Sequence, residues 1–395
     1  MSSFNSDVDV TIGVAFGDDV YETVPTWVDI TADVREFSTR RGRSHILDQM
    51  QAGEALLTVD NSSGNYNPEN TAGTHYPNVK VFNPIRIQAV YNAVTYDLFR
   101  GFVEAWTPQA QAGGKDQTVQ VKCVDAFRLF AMHEEDLTES AEFTGTRIGN
   151  LLDTAGWPAG WRDLDTGNHM VQALSAEFDS VLGQIHRSVL VEQGLFYIAG
   201  DGTAVFLDGN TRIQDKASPT ATFSDDGNDL RYVDLVLSYD DEQLWNKASV
   251  TRVDGTTQSD TDSTSVAAYG QRDLHLSETL HVADGESLAL SQWLVMENKD
   301  VRVRAPELVV KPEDDPTNLW PKALGLELLD RVNIERAFTG DDLDEDCHVE
   351  GVTHDVRMVG GRSWTTSFQL SPALPFDDWW ILGTSELGTS TRLGY

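Results

Sequence analysis

Near the start of the chain, apolar side chains fall at every second position. Val8, Val10, Ile12 and Val14 share one side, with smaller or polar residues between them. A period of two predicts a β-strand with one buried face. The pattern returns in TWVDITADVREFSTRRG, in EALLTVD, over Ile85–Tyr91 and Tyr96–Trp106, and in QTVQVKCVDA. The joints are Gly17-Asp18-Asp19, the stretch DNSSGNYNP and Asn92-Ala93. Short strands separated by Gly, Asn, Asp and Pro predict a sandwich or small barrel over residues 1–115. The period then becomes helical. Asp125–Met132 is a short helix. Thr144 or Thr146 caps a second, which carries Ile148, Leu151, Leu152 and Ala155 and stops at Gly156. Ser180–Gln193 is a third, with Val181, Ile185 and Val189 in its stripe and Gly194 at its end. A hairpin follows, Leu195–Ile198 and Ala204–Leu207 around Gly200-Asp201-Gly202. Residues 116–225 therefore read as an α+β domain.

Strands resume in LWNKASVTRVDG, SVAAYGQRDLHL, VRVRAPELVV and LGLELLDRVNIERAF. They end in the long hairpin CHVEGVTHDVRMVGGRSWTTSFQLSP, which turns at Gly360-Gly361. DGESLALSQWLVMENKD is a helix among them, and KPEDDPTNLWP reads as a loop. Residues 226–375 are predicted to form a second barrel with an inserted helix. Residues 376–395 hold three Leu-Gly pairs and read as a terminal strap. The fold class is mainly β with α+β insertions and two β-barrel-like domains.

Charge changes this picture more than any motif does. The chain has 63 Asp+Glu against 29 Lys+Arg, a net charge of −34. Such a surface repels phosphate backbones, so specific nucleic-acid binding is not expected. It also repels itself at low salt, a penalty that fades as the Debye length falls to about 3 Å at 1 M. Abundant Asp with scarce Lys predicts a protein made in a salt-saturated, haloarchaeal cytoplasm, with a mesophilic acidic protein as the competing reading. No apolar run is long enough to cross a membrane as a helix, and MSSFNSDVDV lacks the basic and apolar regions of a secretory signal. The two cysteines, Cys123 and Cys347, are far apart and belong to no C-x-x-C pair.

Candidate chemistry is sparse. In LLTVDNSSGNYNPEN, Asp60 and Gly64 evoke a calcium loop, but the glycine is one position early and Thr71 stands where the closing glutamate belongs. The stretch reads instead as a turn after a strand. The densest set of cation-ligand candidates is Asp341, Asp342, Asp344, Glu345 and Asp346, for which a solvated hairpin loop is the competing reading. His348, Glu350 and His354 are spaced to share one strand face. Cys347 and His348 are adjacent and so point to opposite faces, a poor geometry for a thiolate–imidazole couple. No G-x-S-x-G, H-E-x-x-H or P-loop is present. No catalytic residue, cofactor or resident metal is expected.

Taken in order, WVDITADVREFSTRRGR, Leu47-Asp48, LLTVDNSSGNYNP, Tyr76-Pro77 and Leu98–Val103 resemble the N-terminal region of minor tail proteins of long-tailed siphoviruses, the tail-hub or baseplate-hub family. Tyr269-Gly270, Leu319-Trp320-Pro321, Asp330-Arg331-Val332, Val349–Asp355 and Trp364 through Pro372 extend the resemblance almost to the end. It implies two similar β-barrels per chain and a homotrimer placing six barrels around the tail axis. It also implies a non-enzymatic role at the virion tail tip, made in the host cytoplasm. The implied partners are the distal tail or tail tube protein, the tape measure protein, and a tail fibre or receptor-binding protein. Two alternatives stand beside it. Ten tryptophans and many acids would suit a glycan-binding or glycan-cleaving tail component. A distal tail ring would be a hexamer with one barrel.

Overall fold

The computed structural model describes residues 2–4, 8–46, 48–109, 116–214, 218–337 and 343–373. The strap expected over 376–395 lies outside them. Strands β1 (Ser2–Phe4), β2 (Val8–Val14), β3 (Val28–Asp29), β4 (Val34–Gly42), β5 (Gln51–Asp60), β6 (Pro84–Tyr91), β7 (Val94–Gln109) and β8 (Thr118–Val124) form the N-terminal part. The period-two reading holds there: Val8, Val10, Ile12 and Val14 are all buried, in one core with Leu57, Val59, Ile87 and Val121. Each such side chain contributes about 1.5–3 kcal/mol through burial. Asn92 and Ala93 both take positive φ, 48° and 64°, the turn whose twist suits a β-hairpin, and β6 and β7 pair across it.

The two expected barrels do not close. One sheet runs β1-β2-β6-β7-β8-β5-β4 and continues through Leu343–Arg357, Ser363–Pro372, Arg304–Val310 and Asp234–Ser238. The join is an antiparallel seam between β4 and Leu343–Arg357, with Gly42 opposite Gly351 and Glu36 opposite Arg357. Gly42 has φ +101°, and a Cβ there would lie 2.2 Å from the Glu350 carbonyl oxygen. The backbones meet because neither glycine carries a side chain at the crossing. Beside it, Arg43 Nε donates to Glu350 Oε2 at 2.7 Å, and both side chains are almost fully enclosed. Arg41 is paired with Glu327 at 2.8 Å. On one side of the seam, Trp320 and Trp364 meet edge to face at 5.2 Å in the N-terminal core. A second core gathers the helices of the insertion and the inner face of the C-terminal hairpin.

The insertion contains α1 (Phe127–Met132), α2 (Thr144–Thr154) and α3 (Val181–Glu192). Asp125 starts α1 by accepting from Phe127 N at 2.9 Å, and it holds β5 through Gly53 N at 2.6 Å. Ser180 caps α3 by accepting from Gly183 N. Gln193, at φ 53°, ends α3 one residue before the expected Gly194. The expected threonine cap of α2 is absent. Thr144 Oγ1 instead donates to Glu192 Oε2 at 2.7 Å. The same buried carboxylate accepts from Asn168 N at 2.8 Å and His169 N at 3.0 Å, so one side chain clamps α2, α3 and the loop between them.

Two stretches differ from their sequence reading. SVAAYGQRDLHL is not one strand. Asp262 caps a helix, Ser263–Tyr269, by accepting from Thr264 N and Ser265 N, and the strand begins only at Asp273. KPEDDPTNLWP is mostly helical: Pro316 opens a helix to Gly325, where proline's missing N–H has no helical partner to lose. Pro321 masks the helix in the sequence, yet Leu319, Trp320, Ala323 and Leu324 form its buried side.

Candidate assembly surfaces

The structure divides the acidic cluster rather than gathering it. Asp341 and Asp342 lie outside the described residues. Asp344 and Asp346 lie on one face of the seam strand, where both accept from Asn333 Nδ2, at 2.8 and 2.9 Å. Asp346 also takes Arg331 Nε at 2.9 Å. Glu345 points the other way, and burial raises its pKa. Among the described residues no three His, Cys, Asp or Glu are placed to hold a metal ion.

His348, Glu350 and His354 do not share a face. A bulge between Val349 and Gly351 shifts the alternation. His348 stands opposite Ser371 and its Nδ1 lies 3.0 Å from the Leu329 carbonyl, whereas His354 stands opposite buried Thr366, 3.0 Å from its Oγ1. Burial lowers the His354 pKa to about 3 and raises both thiols, Cys123 and Cys347, above their usual value. The two cysteines are free and buried.

The loop after β5 is a folded turn. Asp60 Oδ1 accepts from Ser62 N at 2.9 Å and from Ser62 Oγ at 2.6 Å, and Arg35 reaches its other oxygen. These contacts, the Ser62 hydroxyl first, bring the Asp60 pKa down to about 2. Asn61 Oδ1 accepts from Tyr66 N, and Tyr66 is buried, stacked against Trp106.

Two surfaces at opposite ends of the sheet stand out, and sequence reasoning named neither. At the β2–β3 end, Trp27 lies across Gly13, where a Cβ would sit 3.4 Å from the Trp27 Cβ. Arg86 and Arg100 face each other across β6 and β7, with guanidinium carbons 4.7 and 5.8 Å from the Trp27 ring centroid. Arg100 is also 4.7 Å from the ring of Trp161. These are cation–π distances. The pairing of the two arginines becomes visible only with the register of β6 and β7. At the other end, Asp234–Ser238 pairs, among the described residues, on one side only, with Arg304–Val310. Leu235 and Leu237 turn toward the core, while Asp234 and Val236 face outward beside exposed Val233 and Tyr239.

This architecture is similar to solved tail proteins along nearly its whole length. The 43 kDa tail protein of prophage MuSo2 from Shewanella oneidensis matches with TM-score 0.59 and 13% identity, over 91% of this chain and 98% of that one. The fold is that of prophage tail proteins. A tail protein from Neisseria meningitidis MC58 gives TM-score 0.59 at 11% identity, over 91% and 96%. An E. coli type VI secretion component, described as similar to the bacteriophage T4 tail proteins gp27 and gp5, gives 0.51 at 10%, over 86% and 73%. No protein-family model and no curated protein matches the sequence. The tail-protein fold thus persists here at an identity too low to be read from aligned residues.

Proposed function

We propose that the chain is the non-enzymatic hub of a viral tail tip. Three copies form a ring, with residues 1–115 and 226–375 as its repeating halves and 116–225 as the insertion between them. The ring joins the tail tube and distal tail ring, and the tape measure protein within, to the tip fibre or receptor-binding protein. After opening, it passes genomic DNA along an acidic wall that offers phosphates no counter-charge. The observation that carries this reading is mutual: the tail-protein fold covers this chain and its neighbours almost end to end.

The glycan reading finds less support. Trp157, Trp320 and Trp364 are buried in cores. The cleft between α3 and the helix Asp284–Asn298 has one tryptophan, Trp293, among aliphatic residues such as Leu190, Leu276 and Leu294. The distal-ring reading expects one barrel-like unit, whereas the sheet here extends through both halves. Sedimentation of the purified chain in 2 M KCl, with labelling of virions by antibody, tests the proposal. A trimer located at the tail tip supports it; a stable hexamer, or a monomer that binds or cleaves envelope glycans, overturns it. The virus is proposed to be a long-tailed siphovirus of a haloarchaeal host, so melting temperature should fall sharply between 2 M and 0.15 M KCl.

A further inference from the structure

Among the described residues, no carboxylate makes direct contact with the arginine platform. Arg86 and Arg100 place like charges directly opposite on one face, an arrangement that destabilises a sheet unless an anion answers it. Nine other arginines hold a carboxylate. Among the described residues, these two form no ion pair. Arg86 Nε is buried with no acceptor, and Arg100 Nη1 reaches only the Asp201 carbonyl, at 3.4 Å. Three carboxylates attract the pair from beyond ion-pair distance, Asp97 and Asp29 acting on Arg86 and Asp201 and Asp97 on Arg100. Each has an oxygen engaged locally: Asp29 Oδ1 accepts from Thr31, Asp97 Oδ1 from Gln88 and Asp201 Oδ1 from Thr203 N. Around the platform, Tyr21, Val24 and Val28 are exposed, Val24 at 80%. Arginine and aromatic residues beside apolar ones are the composition of an interface centre.

The far end of the same sheet carries the complement. Asp234 is exposed and forms no ion pair among the described residues, and Val233, Val236 and Tyr239 are exposed around it, Tyr239 at 69%. We propose that the Trp27–Arg86–Arg100 platform of one copy receives the free edge at Asp234–Ser238 of a second copy, the Asp234 carboxylate between the two guanidiniums and the apolar residues against Val24 and Val28. Because the two surfaces differ and occupy opposite ends of one sheet, the contact is head-to-tail, and it closes a ring when the rotation per copy permits. A phosphate backbone is the poorer occupant, since the chain as a whole carries a net charge of −34. This inference rests on the self-assembly reading above and adds the surfaces through which it occurs.

The test is sedimentation of the full chain, wild type, Asp234→Lys, and Asp234→Lys with Arg86→Glu, at a KCl concentration where circular dichroism shows all three folded. Asp234→Lys should weaken association about tenfold or more, and the added Arg86→Glu should recover part of it. An oligomer indifferent to Asp234→Lys overturns the interface while leaving the hub reading intact. A wild type that stays monomeric at every concentration overturns both. Binding of wild type to duplex DNA that Arg86→Gln/Arg100→Gln abolishes would make the platform a phosphate site and overturn the protein contact.

Discussion

Where β4 meets Leu343–Arg357, the contact is backbone against backbone, admitted by Gly42 and Gly351 and flanked by the enclosed Arg43–Glu350 pair. Where α2 meets α3, the contact is one buried carboxylate, Glu192, taking donors from Thr144, Asn168 and His169. Both regions join segments distant in sequence. The seam excludes side chains, so its tolerance is steric. The clamp gathers polar donors, so its strength depends on protonation.

Substitutions should separate the two. Gly42→Val meets the Glu350 carbonyl and forces a β-branched residue to φ +101°, which should cost about 4 kcal/mol and lower the urea midpoint at every pH. Glu350→Ala leaves the Arg43 guanidinium enclosed without its partner and should cost about 3 kcal/mol. At the clamp, Glu192→Gln should cost about 2 kcal/mol near neutrality, since three donors lose a charged acceptor. Desolvation raises the Glu192 pKa, but its hydrogen bonds outweigh that and hold it at about 2, from an ordinary 4.5. A depressed carboxylate stabilises the fold above its unfolded value and loses that contribution as pH falls from 4.5 toward 2. The gap between wild type and Glu192→Gln should therefore close over that interval in pH-dependent melting. His169, raised by its hydrogen bond to Glu192, acts with the opposite sign: its contribution is present below pH 6.5 and fades as pH rises through its folded value. Asp60→Asn should be the mildest change, under about 1 kcal/mol, because that carboxylate and Arg35 are partly solvated.

The strands were legible wherever one face meets the core, because Val8 to Val14 and Ile85 to Tyr91 alternate without interruption. The seam was not. Periodicity reports which face is buried and is silent about which strand lies alongside, so two closed barrels and one continuous sheet write the same pattern. The helix at Pro316–Gly325 was hidden because three prolines and three acids in KPEDDPTNLWP read as loop, although Leu319, Trp320 and Ala323 already carried helical spacing. The bulge after Val349 was equally silent, and it separated His348 from His354. The assembly surfaces escaped for a related reason. Arg86 and Arg100 look unremarkable in a list of residues and become a pair only once β6 and β7 are in register.

The seam also sets a schedule. The Arg43–Glu350 pair spans 307 residues. At about 5–20 residues per second, the ribosome takes roughly 15–60 s to make that interval. Throughout it, β4 has emerged as an unpaired edge while its eventual neighbour has yet to be synthesised. Such an edge invites pairing with other nascent chains. A cell making many copies at once would meet that hazard on every polysome, and the charged Arg35, Glu36, Arg40 and Arg41 along β4 are suited to keep the waiting edge apart from its copies.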